Sequence, residues 1–577
     1  MKKINILTWL LCSILLGSVS AQSIDVRWSD MQMYDNKKDG FFSNFLGGNT
    51  KYLYAKNTNL SLSGRNSRVL MMAYDNKTMD KVAELSVYNN KNDADRKKYD
   101  ELSYYKTLIF ENILYIFWIK ENKEKDELYV ESYDAKLKPI NKLKKIYELN
   151  SGKKAAKKAE LFAMGNKNNG ETLLIGGELA GEKGQNVKVE YKILKSDFSF
   201  AASGQQTLPA IINSKFDALS SSYEYGDDGN LHIKTRVIIP PDERKSLKKN
   251  ESYYYTIYSI VDVNQNTMKS YPLRFENKNI FNMGFLSQKE ADKVFGFFCD
   301  LTKDPKGNDT HGIFYCIINP QTKELEKLNF SYFTKAQLDK LFFKDQQDRK
   351  DRAALSSKKK KKSEEESLSS LYEIEQVQSL DKDNIVIFCS MMWNYSRTYC
   401  DSKGNCRTVY YCNKRNVTGF RLNNAGEIMW ASNLDRDITY TGRWNVMDVS
   451  VICPDNKTFY VTYGSAYSSK KQKKNFASRK STKQMRETIE YASFDYNNGN
   501  FKKEEYTLNE PGTKSKERKT VAPDDIIPID NKFYVNSTRI TFKPWWYPTC
   551  IICPPLIFMS GNSRRGTGYL GVITFGK

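Results

Sequence analysis

The sequence predicts an all-β protein folded as a single β-propeller, with eight blades as the main interpretation and seven as the alternative. Short segments rich in β-branched and aromatic residues recur along the chain, and each is bounded by Asn, Asp or Gly. That pattern is typical of strands joined by tight hairpins. Four such segments form one unit that repeats about eight times, and four-stranded meanders repeated around an axis form a propeller.

The second unit shows the pattern most clearly. Residues 108–110 and 113–118 are apolar and flank the turn Glu111-Asn112, and residues 128–130 precede the turn Asp134-Ala135. The first unit is the weakest, with its first hairpin placed on residues 60–72. The last unit ends at a third strand, 569–575, so residues 24–28 are predicted to supply its fourth strand and close the ring. The predicted blades span approximately 50–92, 105–148, 158–210, 216–275, 280–331, 371–435, 445–508 and 524–577.

The N-terminus has the features of an export signal. Lys2 and Lys3 precede an apolar stretch, 4–16, and small residues end it at Val19-Ser20-Ala21. This is the pattern of a secretory signal peptide, predicted as 1–21, with the propeller occupying 22–577. No other segment is long and apolar enough to span a bilayer, so the mature chain is predicted to lack a transmembrane segment. The expected location is the periplasm, or the outside of the cell in contact with the envelope.

An oxidising compartment favours disulfides. The chain has ten cysteines, of which Cys12 lies in the signal peptide, so nine remain. Two disulfides are predicted because each pair brackets a loop between neighbouring strands: Cys299 with Cys316, and Cys400 with Cys406. Cys550 and Cys553 form a CxxC that is expected to be a structural disulfide or loop staple, with metal binding and redox chemistry as alternatives. Three strand cysteines are left without an assigned pairing: Cys389, Cys412 and Cys453.

Catalytic signatures are absent from the sequence. The chain has two histidines, His232 and His311, and both lie in or beside predicted strands, where packing or rim positions are expected. A histidine-dependent triad or a histidine-rich metal centre is therefore disfavoured. No glycine-rich phosphate loop follows a strand and opens a helix. The sequence predicts no catalytic residue, no cofactor and no metal site, although acidic residues are numerous enough to leave a glycosidase open.

Long insertions fall on one predicted face of the disc. Connections from the second to the third strand, and from blade to blade, share one face, here called the long-loop face; the other hairpins define the short-turn face. The long-loop face holds 240–252, 395–411, 465–487, 541–566 and the charged segment 334–370, in which 335–341 has helical spacing and the rest is expected to be partly disordered. Insertions clustered on one face of a repeat array usually mark the binding face.

That face is also basic, which matches the formal net charge of +22. The interpretation of a merely solvated surface stays open beside that of an anionic partner, namely envelope polysaccharide, lipid head groups or an acidic protein. Nucleic acid is not expected for an exported protein. Trp545, Trp546 and Tyr547 either stack on a ligand or plug the central opening. The candidate binding residues are Lys470, Lys471, Lys473, Lys474, Arg479, Lys480, Trp545, Trp546 and Tyr547.

The export signal ending Val19-Ser20-Ala21-Gln22, the high Lys and Asn content and the Tyr-rich blades with Asn/Asp turns together resemble exported β-propeller proteins of Bacteroidota. The resemblance covers all eight units but includes no WD dipeptide, kelch repeat or sialidase Asp-box, so it implies no catalytic residue. The function predicted from the sequence is a non-catalytic interaction scaffold of the cell envelope that binds an anionic or protein partner through the long-loop face. The alternative is a carbohydrate-active hydrolase or lyase with a site in the central channel.

Overall fold

The computed structural model is a ring of eight antiparallel sheets, seven of four strands and one in which a short fifth strand joins four, which confirms the predicted propeller and its blade number. It describes residues 24–35, 41–49, 51–58, 69–87, 99, 101–110, 112–122, 124–150, 160–165, 172–211, 221–239, 241–247, 251–303, 309–341, 368–369, 372–402, 404–442, 446–465, 485–515, 517–542 and 564–575. The first seven blades follow chain order as simple meanders, and the eighth takes its outer strand from the N-terminus. Short polar turns between strands of alternating burial explain that order, because antiparallel neighbours need only a tight hairpin.

Blades 1 to 4 contain strands β3 to β18. Their bounds are β3 Phe41–Gly48, β4 Tyr52–Thr58, β5 Val69–Asp75 and β6 Lys81–Val87 in blade 1; β7 Ser103–Phe110, β8 Ile113–Glu121, β9 Lys125–Tyr133 and β10 Pro139–Asn150 in blade 2; β11 Glu160–Gly165, β12 Thr172–Glu178, β13 Asn186–Lys195 and β14 Phe200–Ile211 in blade 3; and β15 Ser221–Tyr225, β16 Leu231–Ile238, β17 Tyr254–Asp262 and β18 Thr267–Leu273 in blade 4.

Blades 5 to 8 contain the remaining strands, apart from a small two-stranded sheet of β21 Asp309–Thr310 and β24 Leu368–Ser369. Their bounds are β19 Lys278–Leu286, β20 Asp292–Asp300, β22 Gly312–Ile318 and β23 Leu325–Tyr332 in blade 5; β25 Tyr372–Gln378, β26 Ile385–Cys400, β27 Cys406–Leu422 and β28 Ile428–Thr441 in blade 6; β29 Ser450–Ile452, β30 Thr458–Thr462, β31 Thr488–Asp495 and β32 Phe501–Thr507 in blade 7; and β33 Ile526–Ile529, β34 Lys532–Phe542 and β35 Arg564–Phe575 in blade 8, which β1 Ile24–Trp28 and β2 Gln32–Asp35 join.

The hydrophobic core lies between neighbouring blades. Each successive pair shares one cluster of buried side chains, and the pair formed by blades 8 and 1 is included, where Tyr534 and Leu570 pack with Phe45 and Leu53. The first strands of most neighbouring blades contact each other, which places them innermost around the axis. Each of these inner strands begins directly after a blade-to-blade connection, so its first residues lie at the long-loop face.

The N-terminal strand closes the ring as predicted from the sequence. β1 pairs antiparallel with β35 in the register Ile24 to Phe575 through Trp28 to Gly571. β2 then pairs with the earlier part of the same strand. Closure covers the edge that β35 would otherwise leave exposed. The signal peptide proposed for 1–21 lies outside the described residues.

The structure corrects two strand assignments. The first strands of blade 1 are β3 and β4, so residues 60–72 are not its first hairpin, and Val69 begins the third strand. Gly47, Gly48 and Ser43 make β3 a weak strand signal, which explains the error. Residues 395–411 are not a loop either, since β26 and β27 extend through them to a tip at residues 401–405.

Two short helices accompany the strands. Helix α1, Pro241–Arg244, lies in the blade 4 insertion, and helix α2, Lys335–Leu341, confirms the helical spacing predicted there. Leu338 and Leu341 of α2 are buried in the core between blades 5 and 6. A single 3-10 turn spans Pro523–Asp525. None of the described helices has the length and apolar character needed to cross a lipid bilayer.

Candidate functional site

The predicted binding residues of the long-loop face fall in two segments, 466–484 and 543–563, that lie outside the described residues. Their role in binding stays a prediction, and so does the pairing of Cys550 with Cys553. The predicted binding residues in these two segments are Lys470, Lys471, Lys473, Lys474, Arg479, Lys480, Trp545, Trp546 and Tyr547.

The structure confirms one of the two disulfide predictions and contradicts the other. Cys400 and Cys406 are joined, which confirms that pair. The predicted disulfide between Cys299 and Cys316 is wrong: both are buried thiols. The register places Cys316 opposite Val294, and Cys299 lies five positions further along β20. At ~3.3 Å per residue that offset is far longer than a disulfide can span.

The confirmed disulfide caps a two-stranded ribbon on the long-loop face. β28 accompanies β27 only as far as the pair Tyr411 and Thr441, so beyond that point β26 and β27 continue without a third strand. We call the segment 393–415 the blade 6 ribbon; its base at 411–415 still pairs with β28. Cys400 and Cys406 are directly opposite each other at its end, and they hold the register where hydrogen bonds are exposed to water.

One face of the ribbon is built from rings and guanidinium groups. Successive residues of a strand point to opposite faces, and directly paired residues share a face. Tyr395 opposes Tyr411 with ring centroids 4.7 Å apart and planes 10° from parallel, and Tyr399 opposes Arg407. The hydroxyls of Tyr399 and Tyr411 are 2.9 Å apart. We call this the aromatic–arginine face; the register also places Val409 and Asn413 on it, beside Trp393, Tyr395, Arg397, Tyr399, Arg407 and Tyr411.

Among the described residues, the neighbour of Arg397 on this face is a ring rather than a carboxylate. The Arg397 guanidinium is 5.4 Å from the centroid of the Tyr395 ring. Tyr399 is 51% exposed, so rings and cations are both available to a ligand. The sequence from 393 to 415 contains a single acid, Asp401, at the tip. The ribbon is therefore a cationic, aromatic surface. The sequence pattern predicts a loop in this segment.

A pocket of about 740 Å³ opens at the long-loop end of the central channel, between blades 4, 5 and 6. That volume is within the range of small-molecule sites. Ser221 and Asn282 on the inner strands line it together with Tyr254, Tyr255 and Phe281. Its charged side chains are Lys234, Arg236 and Glu373. We call it the channel pocket because of its position.

Burial shifts the pKa of two charged groups that line the channel pocket, Lys234 and Glu373. It lowers the pKa of Lys234, whose Nζ donates a hydrogen bond of 2.9 Å to the Met283 carbonyl. Burial, followed by the charge of Glu375, raises the pKa of Glu373. Arg236 is exposed and lies 4.5 Å from the centroid of the Tyr254 ring. The pocket thus has one exposed cation and one carboxyl that protonates more readily than usual.

A buried ion network supports the channel beside Glu373. Lys414 of β27 forms ion pairs with Glu375 and, at 2.9 Å, with Asp448. The Arg436 guanidinium is 2.8 Å from Asp448, and Tyr440 donates to the same carboxylate at 2.6 Å. All four charged side chains are essentially inaccessible to solvent. Glu375 is therefore paired with Lys414 and buried away from a ligand, whereas Glu373 lines the pocket.

A second buried polar cluster lies at the short-turn face, between blades 4 and 5. His232 Nε2 is 2.9 Å from Asp228 Oδ1 and 4.0 Å from Asp292 Oδ1, and His232 Nδ1 is 2.7 Å from the Tyr258 hydroxyl. His232 is packed, as the sequence predicted, but its neighbours are carboxylates. We call Asp228, His232 and Asp292 the inter-blade triad.

Burial raises the pKa of Asp292 to about 7, against the positive charge of His232. Burial also opposes the charged form of His232, but the hydrogen bond to Asp228 and the two carboxylates outweigh it and raise the pKa of the imidazole. The ligating atoms of the three residues lie within 4.8 Å of one another, close enough for one metal ion to contact all of them. The sequence separates these residues by up to 64 positions, so only the local signal Asp228-x-x-x-His232 was visible before folding.

Known proteins resemble this chain only distantly. No family model matches it, and no curated protein matches it. The β-propeller domain of the trilobed protease from Pyrococcus furiosus is 10% identical, covering 83% of this chain and 98% of that one with a TM-score of 0.33. An ulvan lyase bound to a glucuronate–sulfated rhamnose oligosaccharide is 9% identical, covering 75% and 94% with a TM-score of 0.34. The quinohemoprotein alcohol dehydrogenase from Comamonas testosteroni is 7% identical, covering 96% and 77% with a TM-score of 0.37. At these TM-scores the alignments carry no argument, and the propeller is established by the strand pairing of this chain.

Proposed function

We propose that this protein is an exported, non-catalytic β-propeller that binds an anionic polysaccharide of the cell envelope on its long-loop face. The observation that carries the proposal is the aromatic–arginine face of the blade 6 ribbon. Its stacked tyrosines offer flat apolar surfaces to sugar rings, and its guanidinium groups match carboxylate or sulfate geometry. A glycan fits this surface better than a folded protein does, because the face alternates rings with charges and contains no broad apolar centre.

The channel pocket supports the same ligand class. Arg236 lies over Tyr254, which repeats the pairing of guanidinium and ring found on the ribbon. Ser221, Ser222 and Asn282 add neutral hydrogen-bonding groups to the pocket wall. Both features open on the face on which the sequence predicts the basic segment 466–484. Together they supply a binding surface with a net positive potential, which attracts polyanions.

Export is supported by two independent features. The N-terminal segment 1–21 has the charged, apolar and small-residue regions of a signal peptide. The Cys400–Cys406 disulfide lies at an exposed tip, where a reducing cytosol would open it. A periplasmic or extracellular location follows from these features as part of the proposal.

The test is binding of the mature chain to polygalacturonate, a uronate polymer, with a neutral glucan as the ligand control. Replacing Tyr395 and Tyr411 by alanine is expected to weaken binding about tenfold, because each ring interaction contributes ~0.5–1.5 kcal/mol. Thr398 and Thr408 lie opposite each other on the other face of the ribbon, so their double alanine variant is the matched control and is expected to bind normally.

Binding is also expected to weaken as salt rises, because exposed charges are screened over ~8 Å at physiological ionic strength. Equal affinity of the wild-type chain for the neutral glucan would refute recognition of an anion. Equal losses in the tyrosine and threonine variants would refute the ribbon as the binding surface.

A second candidate is a carbohydrate-active enzyme that uses the channel pocket. The observation in its favour is Glu373, whose carboxyl has a raised pKa and lies beside Lys234, the arrangement expected of a general acid. Against it, Glu373 is the single carboxyl among the described residues that line the pocket, and glycosidases usually need two. Release of reducing ends or of unsaturated sugars by the wild type, abolished by Glu373→Gln, would favour the enzyme over the binding module.

A further inference from the structure

The inter-blade triad has a geometry that ion binding explains and packing alone does not. Asp228 lies in the turn between β15 and β16, and His232 follows it on β16 of blade 4. Asp292 begins β20 of blade 5. Three potential ligands from two blades thus converge at one point, at the short-turn face and away from the surface proposed to bind polysaccharide.

Asp292 is the decisive residue. Its side chain is inaccessible to solvent, and the Ser287 hydroxyl and the Gln288 backbone N–H approach it without forming a hydrogen bond of normal geometry to either carboxylate oxygen. A buried carboxylate whose donors are this poorly aligned is strongly unfavourable. Its Oδ1 is directed toward His232 Nε2 at 4.0 Å, a separation too long for a hydrogen bond but suitable for two ligands of one cation.

The histidine is held in the orientation that a metal ligand needs. Its Nδ1 is 2.7 Å from the Tyr258 hydroxyl, a contact that can fix the proton on Nδ1. Nε2 then presents a lone pair to two carboxylates. A hydrogen-bonded second nitrogen is a regular feature of metal-bound histidine. Nε2 shares a hydrogen bond of 2.9 Å with Asp228 Oδ1, so a divalent cation would replace the proton of that bond, and the net charge of two carboxylates matches such a cation.

The backbone beside the triad admits no side chain. A Cβ on Gly226 would lie 2.4 Å from Ser287 Oγ, 2.5 Å from His232 Nε2 and 2.6 Å from Asp228 Oδ1. Gly226 does not have a positive φ, so space rather than backbone strain excludes other residues there. Ser287 Oγ lies 3.2 Å from Asp228 Oδ1 and can supply a third oxygen as the fourth ligand atom. Four polar atoms therefore surround one small region.

We propose that Asp228, His232 and Asp292 form a divalent metal site, with zinc as the preferred ion and Ser287 as the fourth ligand, that fastens blade 4 to blade 5. Tetrahedral zinc with ligand bonds of ~2.0–2.2 Å separates its ligand atoms by ~3.4 Å. The separations of 2.9 Å and 4.0 Å from Nε2 bracket that value. Imidazole with carboxylates suits zinc, and the site is closed to solvent, as structural zinc sites are.

The test is metal analysis of the full mature chain purified from zinc-supplemented medium without a histidine tag. We expect about one zinc per chain in the wild type, the stoichiometry of a single structural site. Asp292→Asn is expected to lose most of that zinc. Asp262→Asn is the matched control, because Asp262 lies in another turn of blade 4 on the same face and forms an ion pair with Lys323 at 3.0 Å.

Thermal unfolding supplies a readout that distinguishes a metal from a proton shared within the triad. If the site holds zinc, Tm of the wild type falls after chelation and returns with added zinc, because an ion bound only by the folded state stabilises it. Asp292→Asn then has a lower Tm that zinc does not change.

The opposite pattern would overturn the proposal. With a shared proton instead of a metal, the wild type would carry no stoichiometric divalent ion, and chelator would leave its Tm unchanged. Asp292→Asn would then match or exceed the wild-type Tm, because a neutral amide would replace a buried carboxyl with poorly aligned donors.

Discussion

Trp28 offers a direct measure of how strongly the N-terminal strand closes the ring. It ends β1 opposite Gly571, and it packs against the core shared by blades 7 and 8. The Tyr569 ring meets it edge-on at 6.5 Å, and Lys519 Nζ lies 5.5 Å from the indole centroid. Truncating a fully buried Trp to Ala costs ~3–5 kcal/mol. Trp28 is about half-buried, so Trp28→Ala is expected to lower the free energy of unfolding by about 2 kcal/mol.

The assay is urea denaturation of the mature chain followed by far-ultraviolet circular dichroism, which does not depend on the fluorescence of the deleted indole. Asp25→Ala is the matched control in the same strand. Asp25 points to solvent, and its carboxylate forms an exposed pair with Arg27 at 2.9 Å. Such pairs contribute ~0–1 kcal/mol, so the control is expected to unfold close to the wild type.

The comparison of the two variants decides the argument. A loss near 2 kcal/mol in Trp28→Ala alone would show that β1 stabilises the closed ring through its buried face. If both variants unfolded at the wild-type urea concentration, β1 would contribute nothing to closure. The inference that an open edge of β35 destabilises the propeller would then be refuted.

Three further predictions concern other parts of the ring. Lys414→Met is expected to lower the free energy of unfolding by about 3 kcal/mol, because it leaves buried carboxylates with only Arg436, and urea denaturation measures the loss. Gly226→Ala is expected to cost ~1–3 kcal/mol in the same assay, because the added methyl overlaps three polar atoms; wild-type stability would show that the turn adjusts freely. Charge reversal in the basic segment is expected to reduce retention on isolated envelope at physiological salt without changing Tm, whereas reversal at Lys382 and Lys457 on the short-turn face is not; equal losses would mean that only net charge matters. The positions reversed in the basic segment are Lys470, Lys471, Lys473, Lys474, Arg479 and Lys480.

The sequence by itself determined the architecture, because the strands and turns of a propeller blade are predicted by patterns a few residues long. Each blade needs four apolar strands and tight Asn, Asp or Gly turns, and these lie close together along the chain. Ring closure by Ile24–Trp28 followed from counting strands in the last unit. Blade 1 was assigned wrongly where the local signal was weak, since the short, glycine-containing β3 resembles a loop.

Only the tertiary structure decided which side chains meet. The ribbon at 395–411 has the polarity of a loop, and its pairing became visible only when Tyr395 lay opposite Tyr411. Cys299 and Cys316 bracket a loop in sequence, but the register holds them five positions apart. Asp228 and Asp292 belong to different blades, and nothing local predicts that both approach His232. Turn and strand signals act over a few residues, whereas contacts between blades depend on the register and packing of whole sheets, which no short segment encodes.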